Sequence, residues 1–207
     1  MLGIRGFGWL RWQTICRSSG MADGTTIHAK PLTDRGTVSW SLAEDRLSHP
    51  ERPRTSWLAT VRPDGAPHLM PLITAWLDGG LYILSGLRTR KGRNLLREPR
   101  CVIAVPSSTL PSLDLIVEGR AERVSDAEHL RRVVEHFGSE LEWPGLEIVG
   151  DQVNGPNAPT AGPPPYAVFR VTPSRIFGLP GMFGMEQFDP SELPRPTRWD
   201  FGRDPGR

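Results

Sequence analysis

Apolar and polar positions along this chain alternate with two periods, and the short period dominates. Ser56-Trp-Leu-Ala-Thr-Val61, the stretch from His68 to Leu77, Leu81-Tyr-Ile-Leu-Ser85 and Asp114 to Val124 all read as strands. Tyr166-Ala-Val-Phe-Arg-Val171 and Arg175-Ile-Phe177 read as the last two. Cys101-Val-Ile-Ala-Val105 is continuously apolar, which predicts a strand buried on both faces. The turns between them carry their own chemistry. Arg62-Pro-Asp-Gly65 presets φ with proline and accepts positive φ at glycine, and Asp78-Gly-Gly80 is a hairpin signal. Pro71 lies inside the second strand and removes a ladder donor there, so that strand belongs at a sheet edge. Gly119, in the middle of the long strand, predicts a bulge or bend.

The helical period appears three times. Trp40, Ala43 and Leu47 share one face of a segment from Val38 to Leu47, which Pro50 and Pro53 end. A short helix starts at about Thr89 and stops before Pro99. Ser125-Asp-Ala-Glu128 is a capping box opening a helix with Leu130, Val133, Val134 and Phe137 inward. The Gly-, Pro- and Asn-rich stretch 144–165 reads as a mobile loop, and everything from Pro180 as a tail. The expectation is a mainly β domain with a few helices, its hairpin-connected strands curling into a small barrel. Residues 1–36 fall outside it as a disordered extension or an over-extended start before Met21. The domain spans 37–201, and 202–207 trail it.

Composition narrows the function classes. Of 207 residues, 38% are hydrophobic, and no apolar run reaches the length of a membrane span, so a membrane partner is not expected. A net charge of +2 argues against nucleic acid as the main partner. Cys16 and Cys101 sit far apart in unlike settings, which points to a reducing cytoplasm. No GxGxxG follows a strand, and there is no P-loop, GxSxG or HExxH. His129 and His136 share a helix face but lack a third ligand, so no metal is expected.

Candidate chemistry concentrates in Ser85-Gly-Leu-Arg-Thr-Arg-Lys-Gly-Arg-Asn94. A strand leaves the core, turns through Gly86 and enters a helix capped by Thr89. The unpaired amides of that helix start, with Arg88, Arg90, Lys91 and Arg93 crowded beside them, favour a phosphate or carboxylate. Lys91 is one of only two lysines in the chain, the other being Lys30. The competing reading is a solvated basic helix. Elsewhere the structural reading prevails: Asp64 and Asp78 as turn residues, Trp57 and Trp76 as packing residues, Glu118 and Glu122 as the exposed face of a strand. His68, on a strand after a turn, is more often a solvated histidine than a ligand.

Trp57-Leu-Ala-Thr-Val-Arg-Pro-Asp-Gly65, Pro67-His-Leu-Met-Pro-Leu72, Leu81 to Ser85, Thr89-Arg-Lys-Gly-Arg-Asn-Leu95, Asp114 to Val124 and Thr197-Arg-Trp199 occur in an order that resembles the pyridoxamine 5'-phosphate oxidase-like split β-barrel proteins, with most similarity to their flavin/deazaflavin oxidoreductases. The resemblance covers roughly 38–201. It implies an FMN-binding type of split barrel, a homodimer with each cofactor site built at the interface from both chains, and FMN or F420 as cofactor. It further implies that Thr89, Arg90 and Lys91 hold the cofactor phosphate with Asn94 beside it. Met70, Pro71 and Leu72 would line the ring or ribityl side, Ile83, Leu84 and Ser85 would form the floor, and Trp199 would cover the site. An arginine-rich, lysine-poor composition inclines the choice toward F420, a cofactor common in GC-rich actinobacteria. Two departures stand out. Where the true oxidase has basic residues on the second strand, this chain has Leu69-Met-Pro-Leu-Ile73, which makes pyridoxamine phosphate an unexpected substrate. Asp200 stands in a stretch that is often basic in relatives. The implied activity is hydride transfer to or from a small organic substrate, with no catalytic side chain identified. A non-catalytic flavin- or F420-binding protein for storage or sensing is the alternative.

Overall fold

In the computed structural model, residues 25–49, 55–107, 109–181 and 184–203 are described. The strands are β1 (Thr25–Pro31), β2 (Ser56–Val61), β3 (Pro67–Leu72), β4 (Ala75–Leu77), β5 (Gly80–Ser85), β6 (Arg100–Val105), β7 (Leu113–Val124), β8 (Glu147–Val149), β9 (Gln152–Asn154), β10 (Ala167–Pro180) and β11 (Thr197–Arg203). The helices are α1 (Trp40–Ser48), α2 (Arg90–Arg97) and α3 (Ala127–Ser139).

All strand pairs are antiparallel, and one path runs β1-β11-β10-β7-β6-β2-β3. The longest strand, β10, splits the sheet. Along one edge it pairs β7 over nearly its full length. Along the other it pairs β5 through Ala167–Val171, then β11 through Arg175–Gly178. Pro173 and a register shift past Ser174 fall in the gap where β10 leaves β5 and takes β11. The two stretches expected as separate last strands are therefore one strand with an irregularity in it. The bulge attributed to Gly119 belongs to β10. Gly119 is where β10 comes closest, since a Cβ there would lie 2.5 Å from the Thr172 carbonyl oxygen.

β5 is buried on both faces, as its unbroken apolar run requires. Leu81 and Ile83 point into a core with Trp40, Leu58, Leu95, Ile103, Val117, Ile176 and Trp199. Tyr82 and Leu84 point into a second core under α3, with Leu130, Val133 and Phe137. The helix α3 is capped by Asp126, whose carboxylate accepts from the His129 amide at 2.8 Å, one residue later than the capping box predicts. Pro71 lies on β3, which ends the sheet path and pairs β2, the edge position its missing donor demands. β6 alternates buried and half-buried residues, so it is covered fully on one face and not on both.

Three expectations about chain boundaries change. Residues 25–31, assigned to the extension, form β1 and pair with β11 from Thr25↔Arg203 to Pro31↔Thr197. Residues 1–24 and 204–207 lie outside the described residues. The supposed tail supplies β11, because Thr197, Trp199 and Phe201 alternate toward the core and Trp199 packs on Trp40 at 5.8 Å. The supposed mobile loop contains the β8–β9 hairpin. No helix among the described residues is long and apolar enough to cross a membrane.

Candidate functional site

Where β5 ends, the chain turns through Gly86 into α2, and the turn is fixed by Thr89. Its hydroxyl donates to the Gly86 carbonyl at 2.8 Å and accepts from the Gly92 amide at 3.1 Å, while the Ser85 hydroxyl lies 2.9 Å away. Gly92 is required by this geometry, for a Cβ there would lie 2.6 Å from the Gly86 carbonyl oxygen. Arg88 and Arg90 are exposed around the helix start.

The inward face of α2 carries two polar residues. Asn94 is buried, and its Nδ2 donates to Thr60 Oγ1 at 2.9 Å. Thr60 Oγ1 lies 3.4 Å from His68 Nδ1 across the β2–β3 pair. His68 is half-buried, and its pKa is lowered first by that burial and then by the positive charges of Arg62, Arg90 and Lys91. Three cations thus lie near enough to His68 to act on it, a setting that suits an anionic group. Lys91 behaves differently from the presented phosphate hook that its position implies. It is 2% exposed, and its Nζ donates to the backbone carbonyl of Thr160, in the connection between β9 and β10. Burial lowers its pKa.

The other residues singled out from sequence divide between the two faces of the sheet. On β3, Met70 lies opposite Leu58 and Leu72 opposite Ser56, both facing inward, while Pro71 lies opposite Trp57 on the outer face. These three do not form one lining. Ile83 and Leu84 are core residues on opposite faces of β5, and the hydroxyl of Ser85 is taken up by the Thr89 turn. Trp199 is fully buried, so it closes the core and cannot lid a ligand on this chain. Asp200 beside it is committed to Arg175 at 2.8 Å and Lys30 at 2.9 Å, and these contacts hold its pKa down to about 2. Thr60, Arg62 and Thr160, which border this region, were not singled out from the sequence, and His68 was read there as more often solvated than a ligand. Counting residues back across the Arg62–Gly65 turn would have set Thr60 opposite His68. Thr160 acts through a backbone carbonyl, which leaves no side-chain signal.

Three cavities border these elements. One of about 530 Å³ lies at the α2 start, lined by Gly86, Leu87, Arg88, Thr89, Gln152 and Pro163–Pro165. Another, of about 1060 Å³, opens between α1, the β4–β5 turn and α3. Its polar groups largely pair with one another: Tyr82 Oη with His129 Nε2 at 2.7 Å, Arg132 with Asp78 at 2.6 Å, and Arg170 Nη2 with the Asp78 carbonyl at 3.0 Å. Burial raises the Tyr82 pKa and lowers that of His129. No cluster among the described residues could hold a metal ion. A third, of about 610 Å³, borders Thr60, Cys101 and Gly119. Burial pushes the Cys101 thiol up to about 12, which makes it a packing residue and not a nucleophile.

A model of the family described as pyridoxamine 5'-phosphate oxidase matches residues 45–179. The pyridoxine/pyridoxamine 5'-phosphate oxidase of Thermobifida fusca (strain YX) is 40% identical over 78 residues, covering 37% of this chain and 35% of that protein. The chain spans between about a third and a half of the length of the curated relatives it matches. Among solved structures, a conserved hypothetical protein from Mycobacterium tuberculosis superposes with a TM-score of 0.51 at 23% identity, covering 74% of this chain and 95% of that one. A heme binding protein from Mycobacterium smegmatis superposes with a TM-score of 0.51 at 19% identity, over 72% of this chain and 57% of that one. Both share the fold.

Proposed function

The chain belongs to the pyridoxamine 5'-phosphate oxidase family, and from that premise we propose that it is an oxidoreductase that holds FMN or F420 by its phosphate at the start of α2 and transfers a hydride to or from a small organic molecule. The observation that carries this reading is the helix start capped by Thr89, with exposed Arg88 and Arg90 around it and His68 near enough to feel the charge of Arg90. The donor set fits a phosphate: exposed guanidinium groups, first-turn amides, and a histidine able to take a proton as the anion arrives. Met70, half-buried on the same face of β3 as His68, supplies apolar surface beside it.

When bound, such a cofactor supplies the hydride chemistry itself. The chain's part is to bind and orient it. Arg90 and the α2 amides fix the anionic end, while Asn94 and Thr60 hold the His68 ring in place. No side-chain nucleophile is needed. Pyridoxamine phosphate is not the proposed substrate, because His68 is the sole titratable residue between Pro67 and Leu72. We place the site in a cytoplasmic homodimer, with the apolar outer face of β3 and β2 against the second copy.

The absorption spectrum of the purified protein tests the cofactor: a flavin or an F420 band is expected. Titration of both ligands should then show binding, weakened on the order of ten- to a hundredfold in Arg90→Ala, which removes one charge-assisted contact. Absence of binding by either ligand at millimolar concentration would overturn the reading. Reduced F420 or FMN offered with a panel of oxidised acceptors separates turnover from binding alone.

A further inference from the structure

The cavity of about 530 Å³ at the start of α2 has a lining that selects by charge and by shape. Leu87 and Pro163–Pro165 give it apolar walls, Arg88 is its one cation, and no acidic residue borders it. Gln152 adds a carboxamide that has no hydrogen-bond partner among the described residues. We propose that this cavity binds the organic substrate, a small apolar molecule carrying a carboxylate, with Arg88 and Gln152 as the residues that determine specificity. Calling that ligand the substrate rests on the oxidoreductase reading above; the pocket itself does not.

The walls are held by groups that are committed elsewhere. Val153, next to Gln152 on β9, exchanges both backbone hydrogen bonds with Tyr166, at 2.8 and 2.7 Å, which sets Gln152 alongside Pro165. The Gly86 amide donates to the Ala161 carbonyl at 2.8 Å, and Lys91 donates to the Thr160 carbonyl, which seats this segment on the start of α2. Ala161, Val153 and Tyr166 are buried in the core under α3, so apolar packing fixes the same segment from behind. Proline has almost no rotamer freedom to lose, and a wall that is already ordered spends little entropy when a ligand arrives. The polar groups are equally restricted. Three prolines offer no N–H, the Gly86 amide is taken, and the Thr89 hydroxyl both donates and accepts within its own turn. Arg88 and Gln152 are the side-chain donors that remain, and Arg88 makes no ion pair among the described residues. A guanidinium without a counter-charge matches a carboxylate. The volume and the sparse polar groups on apolar walls are those of a small-molecule pocket. Arg90 does not line this cavity, so a substrate carboxylate and the cofactor phosphate need not share one guanidinium.

Benzoate and its neutral counterpart benzamide are the probes, titrated into isotope-labelled protein and followed by amide NMR, with and without saturating FMN or F420. Benzoate at millimolar concentration is expected to give saturable shifts of the Leu87 and Arg88 amides and of the Gln152 carboxamide, in both states of the protein. Benzamide should bind severalfold more weakly. Arg88→Gln removes the cation, and Gln152→Glu sets a carboxylate against that of the ligand. Each should abolish the preference for benzoate while benzamide still shifts the Leu87 amide, a change of selectivity that misfolding does not produce. Shifts that fall elsewhere or fail to saturate would overturn the pocket. Equal binding of benzoate and benzamide by the wild type would overturn the carboxylate class. Displacement of benzoate by FMN or F420 would assign the cavity to the cofactor and overturn its role as the substrate pocket. Benzoate seated at Gln152 in a protein that binds neither FMN nor F420 would overturn the oxidoreductase reading and leave the pocket standing.

Discussion

His68 and Lys91 both border the helix start, and the pKa of each is lowered. For His68 the causes are burial and three nearby cations, Arg62, Arg90 and Lys91, with Thr60 and Asn94 as its polar support. A lowered histidine pKa means the folded chain binds fewer protons than the unfolded one below pH ~6.5. In the ligand-free protein this contribution to stability is present above that pH and is lost as pH falls. An anion held between His68 and Arg90 reverses the local field and raises the pKa, so binding takes up a proton. Affinity for FMN should then rise as pH falls from about 7.5 to 5.5, by at most about tenfold per unit. The ligand phosphate also titrates near pH 6, so the comparison is with His68→Asn at each pH, where that contribution cancels. The ratio of wild-type to variant affinity should climb toward acid. Parallel profiles would show that His68 does not face the anion.

At the scale of elements, what could be read from the chain was whatever burial writes into side-chain order. β2, β3 and the turn between them follow from alternation and Pro-Asp-Gly, and α1 from Trp40, Ala43 and Leu47. β11 was hidden, although Thr197, Trp199 and Phe201 alternate, because proline and charge surround them. β10 was divided because Thr172-Pro173-Ser174 resembles a break. The docking of residues 158–165 on the start of α2 was illegible for a stronger reason: its polar contacts run through the carbonyls of Thr160 and Ala161, and a carbonyl is the same in every residue. At the site, the helix start and its cap were legible, but the burial of Lys91 was not. Glycines show the same division. Gly119→Ala would drive a methyl group into the Thr172 backbone, which the β7–β10 ladder holds in place. It should cost about 1–3 kcal/mol by urea denaturation. Gly138→Ala meets nothing within 4 Å on α3 and should stabilise by up to about 1 kcal/mol. Equal unfolding midpoints for the two variants would mean that β10 yields at the contact.

At the scale of the molecule, the outer face of the sheet is the unfinished part of the structure. Cross-strand neighbours Pro71, Trp57, Ala104, Ile116 and Phe177 form one apolar row over β3, β2, β6, β7 and β10. The next row is Leu69, Ala59 and Val102 before it turns polar at Glu118 and Arg175, which pair at 3.5 Å. Trp57 is 43% and Leu69 57% exposed, and covering the half of each that remains in water should contribute roughly 1 kcal/mol apiece. Contiguous apolar surface rimmed by charge is the signature of a protein interface, and β3, which carries His68 on its other face, forms its edge. On the proposed reading a second copy covers these rows and completes the cofactor site. The wild-type protein should then sediment at twice 23.0 kDa at micromolar concentration. Trp57→Glu puts a charge in the middle of the first row and should give a folded monomer, since the side chain touches solvent in the single chain. If the site is shared between copies, the monomer should also lose FMN or F420 affinity by tenfold or more, although neither His68 nor α2 has been altered. A wild-type monomer would remove the interface, and a monomeric Trp57→Glu with undiminished affinity would place the whole site on one chain.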